Sequence, residues 1–376
     1  MTAPENTQTA EAIDNLLRVA GVTQQRGLIR RIVQAGLGLG EDGASRLDLK
    51  ISASALEEMR QAFALFAPYA GVRKTTIFGS ARTKPGDLLY VAAEQSARAL
   101  AEDDWMVVTG AGPGIMEAAA VGAGHEHSLG VSIRLPFEEE PNAFVANDAR
   151  HVAMKYFFTR KLMLVKESSA FICLPGGFGT MDETFELLTL QQTGKMVPVP
   201  IVLLDRPGGT YWEGFKTFVV DELERGGYVT PGDLDRVLVT DSADAAIEHV
   251  HAFWSNYTDL RWFPTETPGE RDALLLYTRV APTEAQLTDL NERFGYMLDS
   301  GAITLADPYP EERAERPNLA RVRLVPRPHA IGELYRLIWA LNDLPAVDPT
   351  GGVGSAAAAS AADASDAAGR PAGSEM

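Results

Sequence analysis

The chain has 376 residues, 45% of them hydrophobic, enough for one large or two modest domains with a sizeable core. Its formal net charge of −17 argues against an extended nucleic-acid or anionic-membrane surface, because both select basic patches, but leaves room for a small basic pocket. The single cysteine, Cys173, excludes an intrachain disulfide and a multi-cysteine zinc site.

Residues 1–10 are polar and carry no periodic pattern. Helical spacing runs from Glu11 to about Leu39 through Ile13, Leu16, Leu17, Leu28, Ile29, Ile32 and Val33. It breaks near Gly21 and is expected to end in the glycine-rich stretch 36–43. A second helix, about Ser54 to Pro68, has Ser54 as N-cap and Glu57 at capping-box spacing. Together these predict a helical N-terminal extension over residues 1–70, with no chemistry of its own. The start of the chain lacks an apolar signal core, and no apolar run approaches the roughly 18 residues of a membrane span. A soluble, cytoplasmic protein is expected.

From Lys74 strands and helices alternate. The expected strands are Thr75–Ser80, Trp105–Gly110, Leu129–Leu135, Ala170–Leu174, Val199–Asp205 and Arg236–Thr240. The expected helices are Tyr90–Glu102, Ile115–Gly124, Met154–Lys166, Thr180–Thr193, Tyr211–Arg225 and Ala243–Trp254. This alternation predicts an α/β fold: a Rossmann-like, doubly wound parallel sheet over residues 71–255. Asn256–Gly269, with Pro264 and Pro268, reads as a linker. A small C-terminal α+β unit, 256–345, follows, with strands 273–280 and 320–325 and helices 283–298 and 331–344. The Gly/Ala/Ser-rich residues 346–376 read as a disordered tail.

Ligands bind such sheets at the carboxyl ends of strands. Three strands here run into glycine-rich turns: Gly79-Ser80, Thr109-Gly110-Ala111-Gly112-Pro113-Gly114 and Pro175-Gly176-Gly177-Phe178-Gly179-Thr180. The last links a buried strand to a helix, the arrangement that presents backbone N–H groups to a phosphate. The Thr109–Gly114 turn lacks the full GxGxxG spacing and a clean acidic residue at the end of the next strand, so a bound NAD is not expected. Arg160 and Lys161 lie on a helix that is apolar almost all round, and a buried cation needs an anionic partner. Glu183, about one helical turn past Thr180, places a carboxylate beside the glycine turn. Asp182 and Glu186 compete for the same role. His125 and His127 read as residues favoured by a helix C-terminus. Cys173 reads as a small core residue. No Walker GxxxxGK[ST], HExxH or nucleophile elbow occurs, and no metal or cofactor is called for.

The run Pro175-Gly-Gly-Phe-Gly-Thr-Met-Asp-Glu183, with Arg160-Lys161 upstream, resembles the PGGxGTxxE signature of the LONELY GUY (LOG) phosphoribohydrolases. The resemblance covers about Lys74 to Trp254. It implies cleavage of the N-glycosidic bond of a nucleoside 5′-monophosphate, AMP or a cytokinin riboside 5′-monophosphate, to free base and ribose 5-phosphate. It further implies that Arg160 and Glu183 form the catalytic pair. Lys161, Gly176, Gly177, Phe178, Gly179, Thr180 and Thr189 would line the nucleotide, and Gly79, Ser80, Gly110, Gly112 and Gly114 would complete the wall. In O-glycoside hydrolysis a carboxylate stabilises the cationic sugar, and the same need arises here. The family also implies a homodimer or higher homo-oligomer, while the acidic charge and the lack of a long apolar run predict no nucleic-acid or membrane partner. Tyr156-Phe157-Phe158-Thr159 stands where short plant members have a histidine. Leu135-Pro136-Phe137-Glu138, then Pro141-Asn142, looks like a longer bacterial, AMP nucleosidase-like subgroup. The alternative is a non-catalytic carrier of a nucleotide or of a molybdenum-type cofactor, since one fold hosts many functions.

Overall fold

Short apolar runs that are buried on both faces can pair only inside a sheet covered by helices. The computed structural model describes residues 7–134, 149–264, 271–309, 312, 316–344, 346–347 and 353–354. By contacts the chain divides into two units, 1–60 and 61–376.

The N-terminal helices are α1 (Thr7–Val19), α2 (Arg26–Glu41) and α3 (Arg46–Phe66). In the first unit Ile13 and Leu17 are buried, and Arg30 pairs with Asp14. One expectation holds and one is corrected. α2 ends at Glu41, inside the glycine-rich stretch 36–43, with Gly43 at φ +68° just beyond it, although Gly36, Gly38 and Gly40 lie within the helix. Ser54 lies inside α3 and is not its N-cap. Ser45 and Asp48 cap each other reciprocally instead: Asp48 N–H donates to Ser45 Oγ at 3.2 Å, and Ser45 N–H to the Asp48 carboxylate at 3.1 Å.

The second unit opens with β1 (Lys74–Phe78), α4 (Leu88–Glu102), β2 (Met106–Thr109), α5 (Ile115–His127) and β3 (Ser128–Ile133). It continues with β4 (His151–Met154), α6 (Phe157–Lys166), β5 (Ala170–Cys173), α7 (Phe178–Gln192) and β6 (Ile201–Leu204). Then come α8 (Tyr211–Phe218), a 3-10 turn at Asp233–Arg236, β7 (Val237–Thr240) and α9 (Ala243–Phe253). The seven strands are all parallel, in the order β4-β3-β2-β1-β5-β6-β7. Strand order therefore reverses between β1 and β5, which pair from Thr75↔Ala170 to Phe78↔Cys173. β4 was not expected. Its half-buried alternation marks an edge strand too short to stand out from the helix after it. The subgroup marker at 135–142, and the expected strand end at Leu135, lie outside the described residues.

The reading of 256–269 as a linker is overturned for its first half. Tyr257–Phe263 forms β8, paired antiparallel with β9 (Ala273–Thr278) from Tyr257↔Thr278 to Phe263↔Ala273. After α10 (Glu284–Phe294) come β10 (Leu298–Leu305), β11 (Ala320–Pro326), a 3-10 turn at Pro328–Glu333 and α11 (Leu334–Asn342). The order is β10-β11-β9-β8, antiparallel throughout. β10 was also missed, since Gly301 (φ +70°) and two register shifts interrupt its pattern. In the expected tail, Ala346–Val347 pairs with Val353–Gly354, and the remaining residues lie outside the described set.

The two sheets share one apolar core. α11 packs on α9, where the Phe253 ring stacks on Tyr335 at 5.4 Å and meets Trp339 edge-on at 5.6 Å. Asn342 seals the junction: its amide donates to Phe253 C=O at 2.6 Å and accepts from the Asn256 and Tyr257 N–H groups. Among the described residues no helix is long and apolar enough to cross a membrane.

His249 lies in this seam, 4.8 Å from the Trp339 ring, and burial lowers its imidazole from 6.5 to about 4. The folded protein thus holds His249 neutral, while the unfolded chain protonates near pH 6.5. The stability this contributes is complete above pH 6.5 and is lost as pH falls towards 4. By pH 5 wild type should lose about 2 kcal/mol that His249→Phe does not lose. Chemical denaturation at pH 7 and pH 5 measures this, and equal losses in both proteins would contradict it.

Candidate active site

The strand order reverses between β1 and β5, the place where open α/β sheets bind their ligands, and the three glycine turns meet at these strand ends. Backbone hydrogen bonds join them. Ser80 N–H donates to Pro175 C=O at 3.1 Å, and Ile115 N–H donates to Ser80 C=O at 3.1 Å. Close approach explains the glycines. A Cβ on Gly114 (φ +71°) would lie 2.4 Å from Ser80 C=O, and one on Gly176 would lie 2.1 Å from Thr180 Oγ1. Gly79 abuts Ile115, and Gly112 abuts Met116. Ala111 adopts φ +57°, a conformation disfavoured for a residue with a Cβ, and its N–H donates to Thr109 Oγ1 at 3.1 Å.

The N-terminus of α7 is differently made. Gly177 caps it without any side-chain hydrogen bond. The first N–H groups of a helix have no intrahelical partner and carry the positive end of its dipole. Gly177 and Gly179 face open space, and Phe178 is 96% exposed. Thr180 is buried behind the turn, its C=O accepting from Thr184 Oγ1 at 2.7 Å.

Arg160 on α6 is buried. Its Nε donates to Val131 C=O of β3 at 3.0 Å, and its Nη1 to Glu183 Oε1 of α7 at 3.3 Å. Gly110 makes room for it: a Cβ there would lie 2.1 Å from Arg160 Nη2. Burial raises the Glu183 carboxyl above its ordinary range, and the nearby Arg160 and Lys161 charges only partly oppose this. Lys161 pairs with Asp182 at 2.7 Å and Glu186 at 2.9 Å. Burial depresses its ammonium, but hydrogen bonds to the two carboxylates outweigh this and raise it. Of the three competing acids, Glu183 alone thus pairs with Arg160.

The structure therefore gathers Arg160, Glu183, Gly79, Ser80, Gly110, Gly112, Gly114 and Gly176–Thr180 at the strand ends. Thr189 is apart from them, exposed about three turns along α7 from the glycine turn. Lys161 is engaged by carboxylates of α7. His125 Nδ1 meets Arg150 Nη1 at 2.8 Å. Among the described residues no three or more His, Cys, Asp or Glu form a metal-binding group. Cys173 is buried, which pushes its thiol up. One neighbour of the site was missed: Tyr211 Oη donates to Gly176 C=O at 2.7 Å. No motif links these residues, 35 positions apart.

A family model described as possible lysine decarboxylase matches residues 114–250. The cytokinin riboside 5′-monophosphate phosphoribohydrolase of Mycobacterium tuberculosis is 31% identical over 175 residues, covering 46% of this chain and 89% of that protein. The chain belongs to the LOG family. An Arabidopsis thaliana protein named cytokinin riboside 5′-monophosphate phosphoribohydrolase LOG3 is 26% identical over 184 residues, 48% of this chain and 83% of its own. A molybdenum cofactor binding protein from Rippkaea orientalis aligns with a TM-score of 0.32 and 23% identity, over 47% of this chain and 93% of its own. The LOG match spans less than half of this chain, so much of its length has no counterpart in these relatives.

The glycines separate by their surroundings. Gly114→Ala forces a Cβ onto the Ser80 backbone at positive φ and should cost more than about 3 kcal/mol. Gly177→Ala enters open space at φ −90° and should cost no more than about 1 kcal/mol. Denaturant midpoints compare the two, and equal losses would overturn this account of the turns.

Proposed function

We propose that the chain hydrolyses a nucleoside 5′-monophosphate, AMP or a cytokinin riboside 5′-monophosphate, to free base and ribose 5-phosphate. The observation that carries this is the Arg160–Glu183 pair, 3.3 Å apart, beside an open helix N-terminus. A phosphate needs only the N–H groups of 177–180 and the helix dipole. A mere phosphate binder does not need a partly desolvated carboxylate as well. Family membership, and relatives named for this activity, also support the proposal.

In the proposed mechanism residues 71–255 form the catalytic domain. The turn from Gly176 to Thr180 holds the 5′-phosphate, with Gly79, Ser80, Gly110, Gly112 and Gly114 as the adjoining wall. Arg160 orients the substrate and balances charge. As the C1′–N bond breaks, positive charge builds on the ribose, and the Glu183 carboxylate stabilises it and takes a proton from the attacking water. The electron pair of the broken bond leaves with the base, which takes up a proton to become the free base, and Glu183 gives up the proton it took from water, restoring its carboxylate. Lys161 acts through α7, holding Asp182 and Glu186 so that Glu183 turns towards Arg160. The exposed apolar residues Phe157 (53%), Phe158 (54%) and Leu162 on α6 support the proposed homo-oligomer, because a second copy would cover them.

Purified protein incubated with AMP or a cytokinin riboside monophosphate should release free base, read by chromatography. Glu183→Gln should lower kcat by about 10²–10⁴-fold with its fold intact. A Glu183→Gln protein as active as wild type would remove the mechanism. Strong thermal stabilisation by nucleotide without base release would instead mark a binder. Since burial raises Glu183, the ascending limb of kcat/KM should lie above the ordinary carboxylate value of 4.5. Sedimentation should give at least twice the 40.6 kDa of one chain, and Phe158→Asp with Leu162→Asp should reduce it. A wild type sedimenting as one chain would end the oligomer proposal.

A further inference from the structure

The glycine turn is fixed on one side and bare on the other. Its bare side is Gly177, Phe178 and Gly179, around which little packs. The positions of those N–H groups therefore depend on what holds Pro175 and Gly176. Three groups from three chain segments do so. Ser80 N–H bonds Pro175 C=O, the Thr180 side chain fills the space beside Gly176 Cα, and Tyr211 Oη bonds Gly176 C=O.

Tyr211 is itself held firmly. Its N–H donates to the Asp205 carboxylate at 2.9 Å. Asp205 is buried at the end of β6, and its N–H donates to Thr240 C=O at 2.8 Å, tying it to β7. The Tyr211 ring lies edge-on to Trp212 at 4.8 Å. Trp212 is fully buried, with Nε1 donating to Leu204 C=O at 3.2 Å. Gly209 admits this arrangement, because a Cβ there would lie 2.2 Å from Asp205 Oδ1. The tyrosine is thus braced by β6 and β7, and its hydroxyl crosses to the turn after β5.

We propose that Tyr211 is a positioning residue for the phosphate-binding turn: its hydroxyl fixes the Gly176 peptide so that the N–H groups after it converge on a phosphate. This rests on the function proposed above for the turn. A hydroxyl that only stabilised the fold would affect every ligand alike or none. One that sets the turn affects ligands through their phosphate.

The test compares wild type with Tyr211→Phe, which keeps the ring and removes one oxygen. Calorimetric Kd values are measured for AMP, inorganic phosphate and adenosine, beside melting temperature and steady-state base release. The expected result is an affinity loss of about three- to tenfold for AMP and phosphate, the range of one hydrogen bond. Adenosine affinity and melting temperature stay unchanged. In turnover KM for AMP rises by the same factor, with kcat within about twofold. Unchanged AMP affinity, or equal losses for AMP and adenosine, overturns the assignment. If wild type binds AMP but releases no base, the hydrolase proposal fails and the Kd comparison still decides on Tyr211. A wild type that binds neither AMP nor phosphate overturns both.

Discussion

The site depends on one buried guanidinium. Arg160 leaves water and recovers its hydrogen bonds from Val131 C=O on β3 and Glu183 on α7. Burying a charge is costly, and a pair of this kind is often replaceable by apolar side chains without loss of stability. Fold stability is therefore a weak reason for it to exist. What it does fix is geometry. It ties helix α6 to the central sheet on one side and to α7 on the other. Any change in one of these elements moves the carboxylate relative to the turns. Even the backbone makes way for it, since Gly110 leaves the space that Nη2 fills.

Around that pair the strand ends combine rigidity with access. Backbone bonds through Ser80 join the turns after β1, β2 and β5, and the close packing at Gly114 and Gly176 leaves no room for a side chain. A parallel sheet produces this convergence without special design, because all its strands end on the same edge. The start of α7 is the exception to the packing. A Cβ at Gly177 or Gly179 would meet open space, whereas at Gly110, Gly114 and Gly176 it would meet groups that already lie there.

These differences set how much could be read from the sequence. The glycine turns and Arg160 were legible because each signal is local: a turn between a strand and a helix, or a cation on a helix apolar all round. Choosing among Asp182, Glu183 and Glu186 was not local. Asp182 and Glu186 are one turn apart and share a helix face, which Lys161 spans, while Glu183 points about 100° away towards Arg160. Spacing alone left that choice open; the family resemblance named Glu183, and the position of α6 gives the pairing its geometry. Tyr211 was invisible for a related reason, since its partner is a backbone carbonyl in another βα unit. Among the strands, β8 was hidden by the proline at 264 and by residues half-buried on both faces, and β10 by its bulged register. Edge strands lack the continuous apolar run that made β5 and β6 plain.

The far end of α7 has its own constraints. Gln191 donates to Val199 C=O at 3.3 Å, and Gln192 donates to Asp233 in the 3-10 turn before β7. Asp233 also pairs with the buried Arg236 at 3.1 Å, and Arg236 with Glu333 at 3.5 Å. A Cβ on Gly332 would lie 3.1 Å from both Gln192 C=O and Arg236, so the 3-10 turn at Pro328–Glu333 sits tightly against the helix end. The helix that presents Glu183 is thus braced near its first turn by Arg160 and Lys161 of α6, and at its last by residues of the antiparallel-sheet region. A rod held at both ends can neither tilt nor slide without breaking contacts at one of them. Residues beyond Trp254, Gly332 and Glu333 among them, thus belong to the contacts that hold the far end of the helix carrying Glu183.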